Sequence, residues 1–346
     1  MRDSAKLTAK PIPPPKPDYN LLYTSPMYNR EILGECTEGS YIEVYIPARP
    51  YHSQQGHLQV VVYLHAFALG ASQIYRSHLE HLVKQGFYVF FPSYQQDFCQ
   101  VPKTLWQTLY TMTKAVLNPY PISPQGWLHS AITSVNNAFE RLQLPKADID
   151  TYLFGHSLGG LFALSWFYYA QSKVPASLLP KQVIAVDPIP CSDSNIPAPI
   201  RAIARSVGGF RDRVTIKTTG AALNIPIAIL HGHDDPVVSV LDWKPWFKTY
   251  IASTAKRFYI SYTDSHGCPA MYADHMQAAV DTSFFPDGLA KPLLGGVGSE
   301  DTLRWRFVWA ALDQVIREGV QANELSFDLG HWSDNKNVHP IKVYYS

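Results

Sequence analysis

The chain has 346 residues, with 29 Lys and Arg set against 28 Asp and Glu, a formal net charge of +1. Hydrophobic residues make up 46% and aromatics 13%, while charged residues are only 16%. This balance excludes an intrinsically disordered chain and a basic nucleic-acid footprint, and it suits a weakly charged globular protein with a large core. No run of eighteen apolar residues occurs, so the sequence predicts no transmembrane helix. The N-terminus has no apolar stretch of the kind a secretion signal needs, so the default compartment is cytoplasmic, or extracellular if a leader has been removed.

Residues 1–20 form a tail around the Pro-rich stretch KPIPPPKP, which favours extended backbone and cannot enter a sheet interior. The remainder, 21–346, reads as a single domain with an extension from about residue 320. Strand candidates are Tyr41 to Ile46, Gln59 to Leu64 and Phe87 to Phe91. The last two are nearly continuous apolar runs, as buried parallel strands are. A helix is expected from about Ala71 to Lys84. A second starts at Ser123-Pro124, a capping hydroxyl followed by Pro at the first helical position, and runs to Leu142 with one apolar face.

Next come a short strand from Thr151 to Phe154, a helix from Leu158 to about Ala170, and strands at Gln182–Val186, Ile225–Leu230 and Arg257–Tyr262. A helix lies between about Leu241 and Ile251, a loop at 284–300, and a helix at about Asp301 to Glu318. Two short strands around a polar turn are expected in the extension. Strands alternating with helices over more than two hundred residues predict an α/β fold with a mostly parallel central sheet and helices on both faces.

The four cysteines, Cys36, Cys99, Cys191 and Cys268, form no CxxC pair and read as free thiols rather than a zinc site.

Gly155-His156-Ser157-Leu158-Gly159 fits G-x-S-x-G, with an apolar strand before it and an apolar helix after it. That context is a nucleophile elbow: a turn sharp enough to project a serine hydroxyl above a sheet edge, with glycines where a Cβ would collide. The N–H of Leu158 lies at a helix N-terminus and is one expected oxyanion donor. The other is the N–H of Phe67, in the His65-Ala66-Phe67 turn after a buried strand, with the Phe67 ring flooring an acyl pocket and His65 bracing the loop.

A serine nucleophile needs a base, and the base needs an orienting carboxylate, in the chain order Ser, acid, His. Asp235 in HGHDDPVV is the first choice of acid. Asp187, at the end of the preceding strand, and Asp234 are the alternatives. His266 in TDSHG is the first choice of base because it lies nearer a strand end, and His275 in ADH is the alternative.

GHSLGG, HAF after a buried strand, HGHDDPVV and DSHG together resemble the α/β-hydrolase superfamily over about residues 41–320. The likeness is to its esterase, lipase and polyester-hydrolase branch, which also holds chlorophyllase-like and platelet-activating-factor-acetylhydrolase-like enzymes. Ala66 stands where such enzymes often carry Gly. The resemblance implies a triad of Ser157, Asp235 and His266, with Asp187 matching the members that carry the acid one strand earlier. It also implies acyl transfer on a carboxylic ester through a Ser157 acyl-enzyme, with no metal or organic cofactor. The expected partner is a small-molecule or lipid-like ester, not nucleic acid. The composition leans towards a hydrophobic ester. Amide hydrolysis on the same triad and a non-catalytic binding role are the competing readings. Trp106, Tyr110, Trp127, Trp243 and Trp246 are available for a pocket, although most aromatics serve the core. Stretches 100–124 and 188–222 are long enough for a lid.

Overall fold

The computed structural model describes residues 10–19, 28–101, 107, 123–194, 212–284, 291 and 294–345. Trp106, Tyr110, most of 100–124 and residues 195–211 of the second lid candidate lie outside them. Nine strands form one sheet: β1 (Tyr28–Leu33), β2 (Tyr41–Pro47), β3 (Leu58–Leu64), β4 (Tyr88–Ser93), β5 (Ile149–His156), β6 (Gln182–Val186), β7 (Ile227–Gly232), β8 (Lys256–Ser261) and β9 (Lys342–Tyr344). Their order is β1-β2-β4-β3-β5-β6-β7-β8-β9. The central pairs from β4 to β8 are parallel, and β1, β2 and β9 run antiparallel to their neighbours.

Strands β3, β4, β5 and β7 are buried at every residue, which is why β3 and β4 read as nearly continuous apolar runs. Successive side chains point to opposite faces. Val61, Tyr63, Val89 and Phe91 enter one core with helix α1 (Arg76–Lys84) and the helical segment that carries Trp309 and Leu312. Val60, Val62, Leu64 and Phe90 enter a second core with α2 (Pro124–Leu142), α3 (Leu158–Ala170) and α4 (Val240–Tyr250). Helices thus cover both faces. The Ser123 hydroxyl caps α2, accepting from the Gly126 N–H at 3.0 Å, as the Ser-Pro start predicts. Strand order and a strand–serine–helix junction at β5–α3 make this an α/β-hydrolase fold.

Several local expectations need correction. Strand β1 was not predicted: its four central residues are exposed at a sheet edge, so it carries no apolar run. The helix expected over 301–318 opens as a π-helical segment, Arg304–Trp309, before α5 (Ala310–Arg317). In the C-terminal extension β9 alone is a strand, and the polar turn is closed by an isolated bridge between His331 and Asn337. β9 pairs with β8 and covers what would be an open sheet edge. The N-terminal segment straps this extension down. The Pro11 carbonyl accepts from the Cys268 N–H at 2.8 Å, and the Ile12 carbonyl from the Ser333 N–H at 3.0 Å. The Thr302 hydroxyl donates to the Pro14 carbonyl at 2.7 Å.

Cys36 and Cys99 are joined in a disulfide, whereas Cys191 and Cys268 are free. Sequence spacing hides this pair because 63 residues separate them. The sheet brings them together: Tyr41 on β2 lies opposite Ser93 on β4, so the entry to one strand meets the exit of the other. The loop that Cys99 anchors packs on the 65–68 turn. Tyr94 stacks on His65 with ring centroids 4.0 Å apart, and the Gln95 side chain accepts from the Ala68 N–H at 2.7 Å. Replacing both cysteines with serine should lower unfolding free energy by about 4 kcal/mol for a loop of this length, measured by denaturant titration; an unchanged midpoint would show that the bridge does not constrain the unfolded chain.

Candidate active site

Ser157 sits between the last residue of β5 and the first of α3 with φ +54° and ψ −113°. A non-glycine residue at positive φ stores about 1–3 kcal/mol of strain and persists only where its surroundings hold it. The surroundings are tight. A Cβ on Gly155 would lie 2.2 Å from the Gly159 carbonyl oxygen, one on Gly159 2.2 Å from that of Leu64, and one on Gly160 2.8 Å from Pro188 Cβ. Each glycine of the motif is therefore required by a particular neighbour. The Ser157 N–H donates to the Val186 carbonyl at 2.9 Å, and its carbonyl accepts from the Leu161 N–H at 3.0 Å.

The Ser157 hydroxyl lies 2.8 Å from His275 Nε2, and His275 Nδ1 lies 2.7 Å from Asp235 Oδ2. With Nδ1–H donating to the carboxylate, Nε2 is left to accept the serine proton. All three residues are less than a tenth exposed, so these bonds act with little screening by water. The other Asp235 oxygen accepts the N–H groups of Val237 and Val238 at 2.7 and 3.0 Å. Burial alone would raise this carboxyl. The His275 and His231 rings and the Val238 N–H outweigh burial and hold it below the usual carboxylate range.

His266 does not join this chain. Between β8 and His275 the backbone makes an excursion closed by a bridge between Asp264 and Met271, and His266 rides on it. The C-terminal extension captures it there: His266 Nε2 donates to Asp334 Oδ2 at 2.7 Å, and the Trp332 ring packs edge-on against the imidazole. Nearness to the strand end in sequence thus selects a histidine that the structure does not bring to Ser157, because the excursion doubles back before His275. Two features bring His275 to Ser157. Gly232 lets the returning segment approach, since a Cβ there would be 2.3 Å from the Ala273 carbonyl oxygen. Arg304, 1% exposed, donates to the carbonyls of Tyr272 at 3.3 Å and of Met276 and Val297 at 3.2 Å, bracing the loop on both sides of His275. Nothing in the sequence pattern singled out Arg304, because its role is to hold carbonyls far apart along the chain.

Asp187 is close by but occupied elsewhere. Its Oδ1 accepts from the Gly232 N–H at 2.8 Å and from Gln277 Nε2 at 2.9 Å, tying the exit of β6 to that of β7. Full burial, reinforced by the nearby Asp235 charge, pushes its carboxyl well above the usual range. Asp234 is half exposed and hydrogen-bonded to His233 Nδ1 at 2.8 Å. Asp187, His231 and Asp235 offer one ligand atom each within 4.8 Å, a spacing that suits a cation. Asp235 already has both oxygens engaged, so a cation there would compete with His275.

The 65–67 turn lies directly against the start of α3. β3 runs beside β5 with Leu64 opposite Gly155, and a Cβ on Gly159 would also be 2.5 Å from the His65 carbonyl oxygen. Burial lowers the His65 imidazole to about 3, leaving a neutral brace stacked on Tyr94. The N–H groups on either side of Phe67 are engaged: Ala66 donates to the Tyr75 hydroxyl at 3.1 Å and Ala68 to Gln95. The Phe67 ring is 38% exposed and sits 6.0 Å from Trp127 and 6.4 Å from Phe98. Trp243 is fully buried in the core, and Trp246 packs against Tyr250.

No protein-family model matches the sequence, and no curated protein matches it. Among solved structures, the chain is similar to carboxyl esterase 2 of the fungus Tuber melanosporum, at 16% identity over 76% of this chain and 82% of that one, with a TM-score of 0.46. It is also similar to esterase B of Lactobacillus rhamnosis, at 13% identity over 68% and 75% with a TM-score of 0.44, and to a dienelactone hydrolase of Anabaena variabilis, at 14% over 69% and 88% with a TM-score of 0.42. At these values the likeness carries nothing about chemistry, and the fold stands on its own strand order.

The two aspartates should separate cleanly. Asp235→Asn should lower kcat roughly 10⁴-fold by favouring the wrong imidazole tautomer, while Asp187→Asn should change it less than about tenfold, because asparagine is isosteric with the protonated acid. Asp187 binds its proton more tightly in the folded chain. The resulting stability is fully present below the ordinary carboxyl value of about 4 and is lost as pH rises towards the raised folded value. Thermal unfolding from pH 5 to 8 should therefore fall less in Asp187→Asn than in the parent protein; parallel falls would mean that Asp187 is ionised in the fold.

Proposed function

We propose that the protein is a serine hydrolase that cleaves carboxylic esters through an acyl-enzyme on Ser157, with His275 as general base and acid and Asp235 as the orienting carboxylate. The observation that carries this reading is the buried chain from the Ser157 hydroxyl through His275 to Asp235, with bonds of 2.8 and 2.7 Å. His275 takes the Ser157 proton as Oγ attacks the carbonyl carbon. Negative charge gathers on the former carbonyl oxygen, to be met by the N–H groups of Leu158 and Phe67; each such donor is worth about 10²–10³ in rate. His275 returns its proton to the leaving alcohol as the ester C–O bond breaks. Water, deprotonated in turn by His275, attacks the acyl carbon, and His275 returns that proton to Ser157 Oγ as the acyl C–O bond breaks and the acid is released. Asp235 stabilises the imidazolium formed in each half.

A hydrophobic acyl or alcohol group suits the wall formed by Phe67, Phe98 and Trp127 beside the elbow. No residue of the reaction requires a metal or organic cofactor.

A fluorophosphonate should label wild-type protein at one site per chain, read by intact mass, and Ser157→Ala should abolish both labelling and p-nitrophenyl ester turnover while leaving the far-ultraviolet spectrum unchanged. Labelling that survives in Ser157→Ala, or a well-folded wild type that takes no label, would overturn the proposal. Trp127→Ala should raise KM for a long-chain ester more than for the acetate; equal changes would remove Trp127 from substrate contact.

A further inference from the structure

The residue before the serine is a histidine, and its ring is fully buried. His156 Nε2 lies 2.7 Å from the main-chain carbonyl oxygen of His275, and Nδ1 lies 2.9 Å from the Tyr75 hydroxyl. A carbonyl can only accept, so the proton is on Nε2 and Nδ1 is an acceptor. The Tyr75 hydroxyl must then donate to Nδ1, which leaves its oxygen to accept the Ala66 N–H at 3.1 Å. Each hydrogen in the sequence Ala66 N–H, Tyr75 O–H, His156 Nε2–H, His275 C=O thus has one donor and one acceptor, with the Tyr75 oxygen accepting from Ala66 while donating to His156.

We propose that His156 and Tyr75 are positioning residues for acyl transfer, coupling the oxyanion turn at Ala66–Phe67 to the backbone of the base His275. The inference rests on the function proposed above. The chain joins three segments at the site: the turn after β3, the elbow, and the loop after β8. Catalytic geometry is steep enough that a shift of about 1 Å can cost 10²-fold, and here one neutral ring sets the separation of the oxyanion turn from the base. Burial, with the His275 charge acting in the same direction, lowers the His156 imidazole to about 3. The ring therefore adds no positive charge beside His275, 5.5 Å away between centroids, when that residue becomes an imidazolium.

The test uses the full chain. His156→Leu and Tyr75→Phe are expected to lower kcat on a p-nitrophenyl ester by about 10–100-fold, counted per fluorophosphonate-reactive Ser157, with KM changed less than about threefold. The double variant should be no worse than the more impaired single variant, because both cut one chain. His156→Gln, whose amide can still donate to the His275 carbonyl, should recover most of the loss. A purely structural role would instead lower the fraction of reactive chains and leave kcat per reactive serine unchanged, and that result would overturn the proposal. Nitrogen-15 NMR of the histidine rings reads the coupling without turnover: His156 should be the neutral Nε2–H tautomer from pH 5 to 8 in wild type and should lose that single form in Tyr75→Phe. An Nδ1–H tautomer, or a ring that titrates in that range, overturns the coupling even if Ser157 is reactive. An unreactive Ser157 beside the expected tautomer supports the coupling and overturns the acyl-transfer reading alone.

Discussion

Everything at the candidate site depends on a backbone bend at Ser157 that the residue would not adopt alone. The φ of +54° is held because β5 is paired on both sides, because α3 starts one residue later, and because the Ser157 N–H is fixed by the Val186 carbonyl. Strain of about 1–3 kcal/mol is small beside the packing of two cores on a nine-stranded sheet, so the fold can impose it. The bend sets the hydroxyl at the junction of β5 and α3, 2.8 Å from His275 Nε2. Gly155, Gly159 and Gly160 permit it by letting backbone approach backbone where a methyl group would collide.

A second constraint works from the opposite side. Fourteen positions separate the end of β8 from His275, yet that imidazole must meet both Ser157 and Asp235. The loop is long and would be a poor platform if it were free. It is held instead by Arg304, whose guanidinium gathers carbonyls from Tyr272, Met276 and Val297, and by Asp301, which accepts from Arg304 at 2.6 Å. A buried cation of this kind is tolerated because its charge is paired with Asp301 and both terminal nitrogens donate, Nε alone having no partner among the described residues. The π-helical segment at Arg304–Trp309 lies where such a side chain has to be aimed inwards, in keeping with the frequent placement of π turns at functional positions.

Among the described residues, the ends of the chain contribute order around the site rather than groups to it. The C-terminal extension closes the β8 edge, seats Trp332 against Gly267, and occupies His266 with Asp334. The N-terminal Pro-rich segment, unable to join a sheet, lies across that extension and uses its carbonyls as acceptors. Together they make the excursion between Asp264 and Met271 a fixed surface feature, so the chain after it returns to the site in one direction.

The α/β architecture, the buried central strands and the elbow at Ser157 were legible in the sequence, because each rests on local chemistry: apolar runs, a Ser-Pro cap, and glycines at fixed offsets from a serine. Asp235 was legible as a carboxylate at a strand end, but so was Asp187. Their separate roles come from which N–H groups surround each one, Val237 and Val238 for the first and Gly232 and Gln277 for the second. Which of His266 and His275 comes to Ser157, the Cys36–Cys99 bridge, the carbonyls gathered by Arg304 and the edge strands β1 and β9 were decided only by the tertiary structure. Each depends on where distant segments meet, and a one-dimensional pattern records spacing along the chain rather than the path the chain takes back to the sheet.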